Sequence, residues 1–142
     1  MTALGDPTDE SADFAGGDSV EIRVPADVAY IATLRLTAAS LAARCDLTID
    51  DIEDLRLAVD EACALLLPHA APGTRLEATF VVRPGELSVT ASVTSVDGVE
   101  STPDRGGFAW SVLSALASEV DVSGSEDRLA ITVTKRRETA SP

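Results

Sequence analysis

The stretch TRLEATFVVRPGELSVTASVT, Thr74–Thr94, constrains the fold more than any other part of the chain. Leu76, Ala78, Phe80 and Val82 recur at every second position, RPGE supplies turn chemistry, and Leu87, Val89, Ala91 and Val93 recur in the same way. Successive side chains of a strand point to opposite faces. Two such runs joined by a short turn therefore form an antiparallel hairpin with one apolar face. That face needs a second layer to cover it.

Three further stretches read as strands. SVEIRVP (Ser19–Pro25) sets Val20, Ile22 and Val24 on one side and closes with proline. EVDVSG is a short strand, and DRLAITVTKR is a longer one with Leu129, Ile131 and Val133 facing one way. Helical spacing fills the rest. Asp27 caps a helix running to about Arg44, with the stripe Ile31, Leu34, Ala38, Leu41 and Cys45. Thr48 caps a second, from about Ile49 to Leu67, with the stripe Ile52, Leu55, Val59, Ala62 and Leu66; Pro68 and HAAPG stop it. A third, about Phe108 to Ser118, puts Val112, Leu113 and Leu116 on one side. The order of strand, two helices, hairpin, loop, helix and two strands suits an α+β fold. The expected form is a two-layer α/β sandwich, its sheet mostly antiparallel with helices on one face.

A length of 142 residues suits one domain, placed at 19–136 and without internal repeats. Residues 1–18 read as a disordered acidic tail and 137–142 as a short C-terminal tail. Aromatics are only 4% of the chain, so the core has to be built from Ala, Val, Leu and Ile. No apolar run reaches the roughly 20 residues that span a bilayer. MTALGDPTDE is acidic and lacks an apolar export core, which points to the cytoplasm. Cys45 and Cys63 fall in helices without metal-ligand spacing and read as buried reduced thiols. Acids outnumber bases 24 to 11, a net charge of −13, which disfavours direct nucleic-acid binding. The same charge suits a basic protein partner, or it serves solubility alone.

The second helix carries an oddity. DLRLAVDEACALLL, Asp54–Leu67, is apolar yet holds the pair Asp60–Glu61 in its middle. At about 100° per residue, Glu61 lies off the core stripe, with Leu57 one turn before it and Leu65 one turn after. A second covered face is expected there, towards a pocket, a loop or another chain. The plain alternative is a surface Glu with stray apolar neighbours.

DLRLAVDEA and the order of elements resemble the RsbW-like anti-sigma factors, whose members include serine kinases. They share the ATP-binding fold of gyrase, histidine kinases and MutL. The resemblance covers 19–136 and is strongest to an acidic group of actinobacterial anti-sigma factors, the UsfX-like proteins. It implies that Glu61 is the general base of the kinase members. The metal-holding Asn four residues later falls on Leu65, which offers magnesium no oxygen. The adenine-reading Asp of the family's Asp-x-Gly-x-Gly falls on Ser95 if the strand register is kept. A two-residue slip would use Asp97, with Gly98 nearby, and an ordinary turn explains Asp97–Gly98 as well. The Gly-x-Gly before the third helix falls on DRGGFAW, with Arg105 in the first glycine's place and Gly107 in the second, beside Gly106. These residues either receive phosphates at the helix start or only let the loop turn into it.

Each lost charge-assisted contact costs about 1.5–3 kcal/mol, or about ten- to a hundred-fold in affinity. ATP and magnesium are therefore expected to bind weakly or not at all. The resemblance then implies an anti-sigma factor that sequesters an RNA polymerase sigma factor and is released by a STAS-type anti-anti-sigma factor. Its kinase activity would be weak or lost, and the protein would be a homodimer. An active serine kinase phosphorylating that antagonist, with Glu61 as base, is the alternative; a regulatory module with no sigma partner is a third. Tyr30 and Arg35, off the first helix's apolar stripe, are candidates for the partner face. His69 reads as a loop residue and Trp110 as a packing anchor. Ser111, Ser114 and Ser118, on the third helix, have no second His with which to form a hydrolytic triad.

Overall fold

The computed structural model describes residues 17–95 and 107–137. Strand β1 (Asp18–Pro25) leads through a 3-10 turn (Val28–Tyr30) into helix α1 (Ile31–Arg44), followed by α2 (Ile49–Leu66). Next come the hairpin β2 (Arg75–Arg83) and β3 (Glu86–Thr94), then α3 (Phe108–Leu116), β4 (Glu119–Ser125) and β5 (Arg128–Arg136). The strands form one sheet in the order β1-β2-β3-β5-β4, antiparallel at every pairing. The expected two-layer α+β architecture is the observed one.

Period-two alternation decides which side of the sheet is covered. Leu76, Ala78 and Phe80 of β2, Leu87 to Val93 at alternate positions of β3, and Leu129, Ile131 and Val133 of β5 are all buried. Val20, Ile22, Val82 and Val120 pack against them from the margins. Helix α1 lies over β2 and β3, α2 over β3 and β5, and α3 against α2 and β4. The opposite face is polar. Ser88 and Thr134 share a hydrogen bond of 2.9 Å and Thr90 and Thr132 one of 2.8 Å, while Arg128 reaches Ser92 and Glu77.

The hairpin turn uses Pro84 and then Gly85, whose φ of 74° is costly for any residue with a Cβ. Its backbone also docks elsewhere. The Gly85 amide donates to the Cys45 carbonyl at 2.8 Å, and its own carbonyl accepts from the Arg137 amide at 2.8 Å. One turn thus ties the end of α1 to the end of β5.

Local capping sets the helix ends. The Asp27 carboxylate accepts from the Ala29 amide at 2.9 Å. The Tyr30 amide bonds back to the Asp27 carbonyl, so the first turn is a tight 3-10 turn rather than the start of one continuous α-helix. At the far end of α1, Asp46 takes φ 62°, and the amides of Asp46 and Leu47 return to the carbonyls of Ala43 and Ala42. This is a Schellman closure, sealed by buried Leu47. Helix α2 opens on a capping box: Thr48 Oγ1 accepts from the Asp51 amide at 3.1 Å, and Asp51 Oδ2 accepts from the Thr48 amide at 3.2 Å.

Helix α3 is shorter than its sequence suggests. Ser118 is not helical, because its amide donates to the Thr134 carbonyl at 2.8 Å and opens the pairing of β4 with β5. Ala117 is already extended. Strand β1 begins at Asp18, one residue before the strand read from the sequence at Ser19.

Candidate functional site

The capping box and the apolar stripe fix how α2 is rotated on the sheet. Leu55, Ala58, Val59, Ala62, Cys63 and Leu66 are buried, and Ile52 is half-buried. The other side of the helix is covered only in part. Leu57 is 52% exposed, whereas Glu61 is half-buried and Leu65 packs against the core. The second covered face therefore belongs to the C-terminal half of α2.

The acidic pair divides its roles. Asp60 is bound by Arg35 across the α1–α2 contact, with Nη1 at 3.0 Å from both carboxylate oxygens. Glu61 makes no ion pair among the described residues. Both members of the Arg35–Asp60 pair are about a third exposed (30% and 32%), so it contributes at most about 1 kcal/mol. Arg35 already has a carboxylate partner within the chain through Nη1. Its Nε is buried and has no hydrogen-bond acceptor among the described residues. Tyr30, one turn earlier, is 42% exposed. The Arg35–Asp60 contact was missed from sequence, where its only trace is two opposite charges lying off the apolar stripes of consecutive helices.

The end of β3 meets the segment that leaves α2. Ala70 bridges to Ser95, and the Ala71 amide donates to the Thr94 carbonyl at 2.7 Å. Ser95 is 6% exposed, and its amide donates to the Asp127 carbonyl. It stands opposite Ala70, just past the 3-10 turn that follows α2. Asp97, Gly98, Arg105 and Gly106 lie outside the described residues.

Gly107 is the N-cap of α3 with φ −82° and ψ 171°, a conformation open to any residue. Its contribution is the absent side chain at the helix start, where the first amides have no intrahelical acceptor. Phe108, directly after it, is 85% exposed. Glu61 on α2, Ser95 at the end of β3 and the amide end of α3 are the described features on which the sequence reading placed its site. That end favours anions.

Leu65 gives magnesium no oxygen at its position. It is partly buried against the core, and among the described residues no group of three or more His, Cys, Asp or Glu side chains is placed together. His69 ends the 3-10 turn Leu67–His69 and is half-buried. Trp110 is half-buried against the core, as a packing anchor should be. No helix among the described residues is long and apolar enough to cross a membrane.

Comparison with known proteins adds the lineage. The histidine kinase-like ATPase domain family matches residues 24–135. The anti-sigma-F factor RsbW of Mycobacterium tuberculosis is 36% identical over 135 residues, covering 89% of this chain and 78% of that protein. The serine-protein kinase RsbW of Bacillus velezensis is 45% identical over 53 residues, which span 37% of this chain and 33% of the kinase. The crystal structure of the RsbU and RsbW domains of a Mycobacterium tuberculosis protein superposes with a TM-score of 0.62 at 18% identity. That match covers 83% of this chain and 31% of the other, and it attests the shared fold.

Proposed function

This chain belongs to the histidine kinase-like ATPase domains and, within them, to the RsbW anti-sigma factors, and from that membership we propose that it acts by binding rather than by catalysis. It sequesters an RNA polymerase sigma factor and is displaced by a STAS-type anti-anti-sigma factor, working in the cytoplasm as a homodimer. The observation that carries the reading is Leu65, an apolar side chain partly buried against the core one turn after Glu61. Phosphoryl transfer is positioning plus charge stabilisation, and without a metal ligand at this place Glu61 has little to act upon. The net charge of −13 supports a partner with basic surfaces, such as a subunit that reads DNA. Tyr30 and Arg35 are its proposed contacts, and Ser95, Asp97, Gly98, Arg105, Gly106 and Gly107 are the remnant of a nucleotide cleft.

A half-buried Glu61 without an ion pair keeps a second reading alive, that of a serine kinase acting on the antagonist. Two measurements separate them. Capture from native lysate, with and without nucleotide, should retrieve a sigma subunit in both cases. Incubation with antagonist and Mg-ATP should leave the antagonist unphosphorylated. Stoichiometric transfer that disappears in Glu61→Gln would replace the binding reading with the kinase one, and failure to capture any sigma factor of the host would remove the sigma-binding reading.

A further inference from the structure

We propose that Lys135 is a latch that holds α3 against α2, making α3 a movable helix whose position this lysine sets. The inward row of β5 runs Leu129, Ile131, Val133 and then, at the next inward position, Lys135. Its register partner on β3 is buried Leu87. The lysine side chain is only 10% exposed, so its ammonium must find partners beneath the helices. It finds one on each. Asp54 Oδ2 of α2 lies at 3.2 Å, and the Leu116 carbonyl, at the last residue of α3, lies at 2.9 Å. A cation at that carbonyl also meets the negative end of the α3 dipole.

Few side chains of α3 are deeply buried. Of its nine residues only Leu113 is fully buried, while Trp110 and Leu116 pack partly against the core and Phe108 is exposed. Helix α2, in contrast, buries seven residues. Directly after α3 the chain is fastened to the sheet again, by the Ser118 amide on Thr134, the Ser118 hydroxyl on the Arg136 amide, and Glu119 on Arg136. Between the helix and these anchors stands one extended residue, Ala117, the natural hinge. A rotation about it carries Gly107, at the opposite end of α3 about 13 Å away, to or from α2. Because α3 carries the only tryptophan of the chain, its motion can be read directly. The inference rests on the packing of α3 alone, and sigma-factor binding is not needed for it.

The test compares the full chain with Lys135→Met, which keeps an aliphatic stem without charge, and with Asp54→Asn, which weakens one partner only. In Lys135→Met, amide hydrogen exchange should quicken about tenfold or more in residues 108–116 while α1 and α2 keep their protection. Trp110 emission should move to longer wavelength with greater acrylamide quenching, and Asp54→Asn should show the same changes to a smaller degree. Unchanged exchange in α3, or a loss spread evenly over all three helices, would overturn the proposal. If Lys135→Met does not fold, Asp54→Asn decides by the same local-against-even criterion.

Discussion

At the scale of single residues, the interior of α2 contains a group whose chemistry the fold suppresses. Cys63 is buried and free, and its thiol is pushed up to about 12, first by burial and second by the neighbouring charge of Asp60. The folded state thus holds the proton more tightly than an exposed thiol does. The stability this gives is intact below the ordinary value of 9.0 and is lost as pH rises from there towards 12. Two outcomes are expected. A thiol reagent at pH 8 should label Cys63 in the native protein far more slowly than in urea. The urea midpoint should also fall above about pH 9 more steeply than in Cys63→Ala. Rapid stoichiometric labelling of Cys63 at pH 8 would contradict this. That both cysteines are buried could be read from their helical positions. The Arg35–Asp60 pair could not, since it exists only where two residues 25 apart in sequence, on consecutive helices, come together.

Among the secondary-structure elements, α2 has the most complete local instructions. Thr48 and Asp51 satisfy each other's backbone amides before any tertiary contact is made. Thr48→Ala should therefore destabilise the protein by about 1 kcal/mol and lower its Tm by about 2–4 °C. Urea unfolding followed by circular dichroism would measure it, and a change below about 0.3 kcal/mol would mean the cap is redundant. The hairpin is equally well specified, by alternation and by Pro84–Gly85. Helix α3 is the counterexample. Its apolar spacing allows it to run through Ser118, but the Thr134 carbonyl takes the Ser118 amide and ends it early. A helix C-terminus contested by a neighbouring strand cannot be located from periodicity alone.

For the whole molecule, the surplus of 13 negative charges predicts how a partner arrives. Electrostatic steering of a basic protein weakens with ionic strength, since the screening length shrinks from about 10 Å at 0.1 M to about 3 Å at 1 M salt. Association with the captured sigma factor should slow several-fold between 50 and 500 mM NaCl while dissociation changes much less. Stopped-flow binding would test this, and an association rate indifferent to salt would assign the charge to solubility instead. The strands, the helix stripes, the two-layer order and the place of Glu61 on α2 all follow from local spacing, because periods of 2 and 3.6 are properties of the chain itself. Tertiary structure alone decided which carboxylate of the acidic pair would be occupied by Arg35. It also decided that the row of β5 would end in a lysine clasped between Asp54 and the end of α3. Those outcomes depend on elements far apart in sequence meeting where water is excluded, so that each polar group must take the partner brought to it.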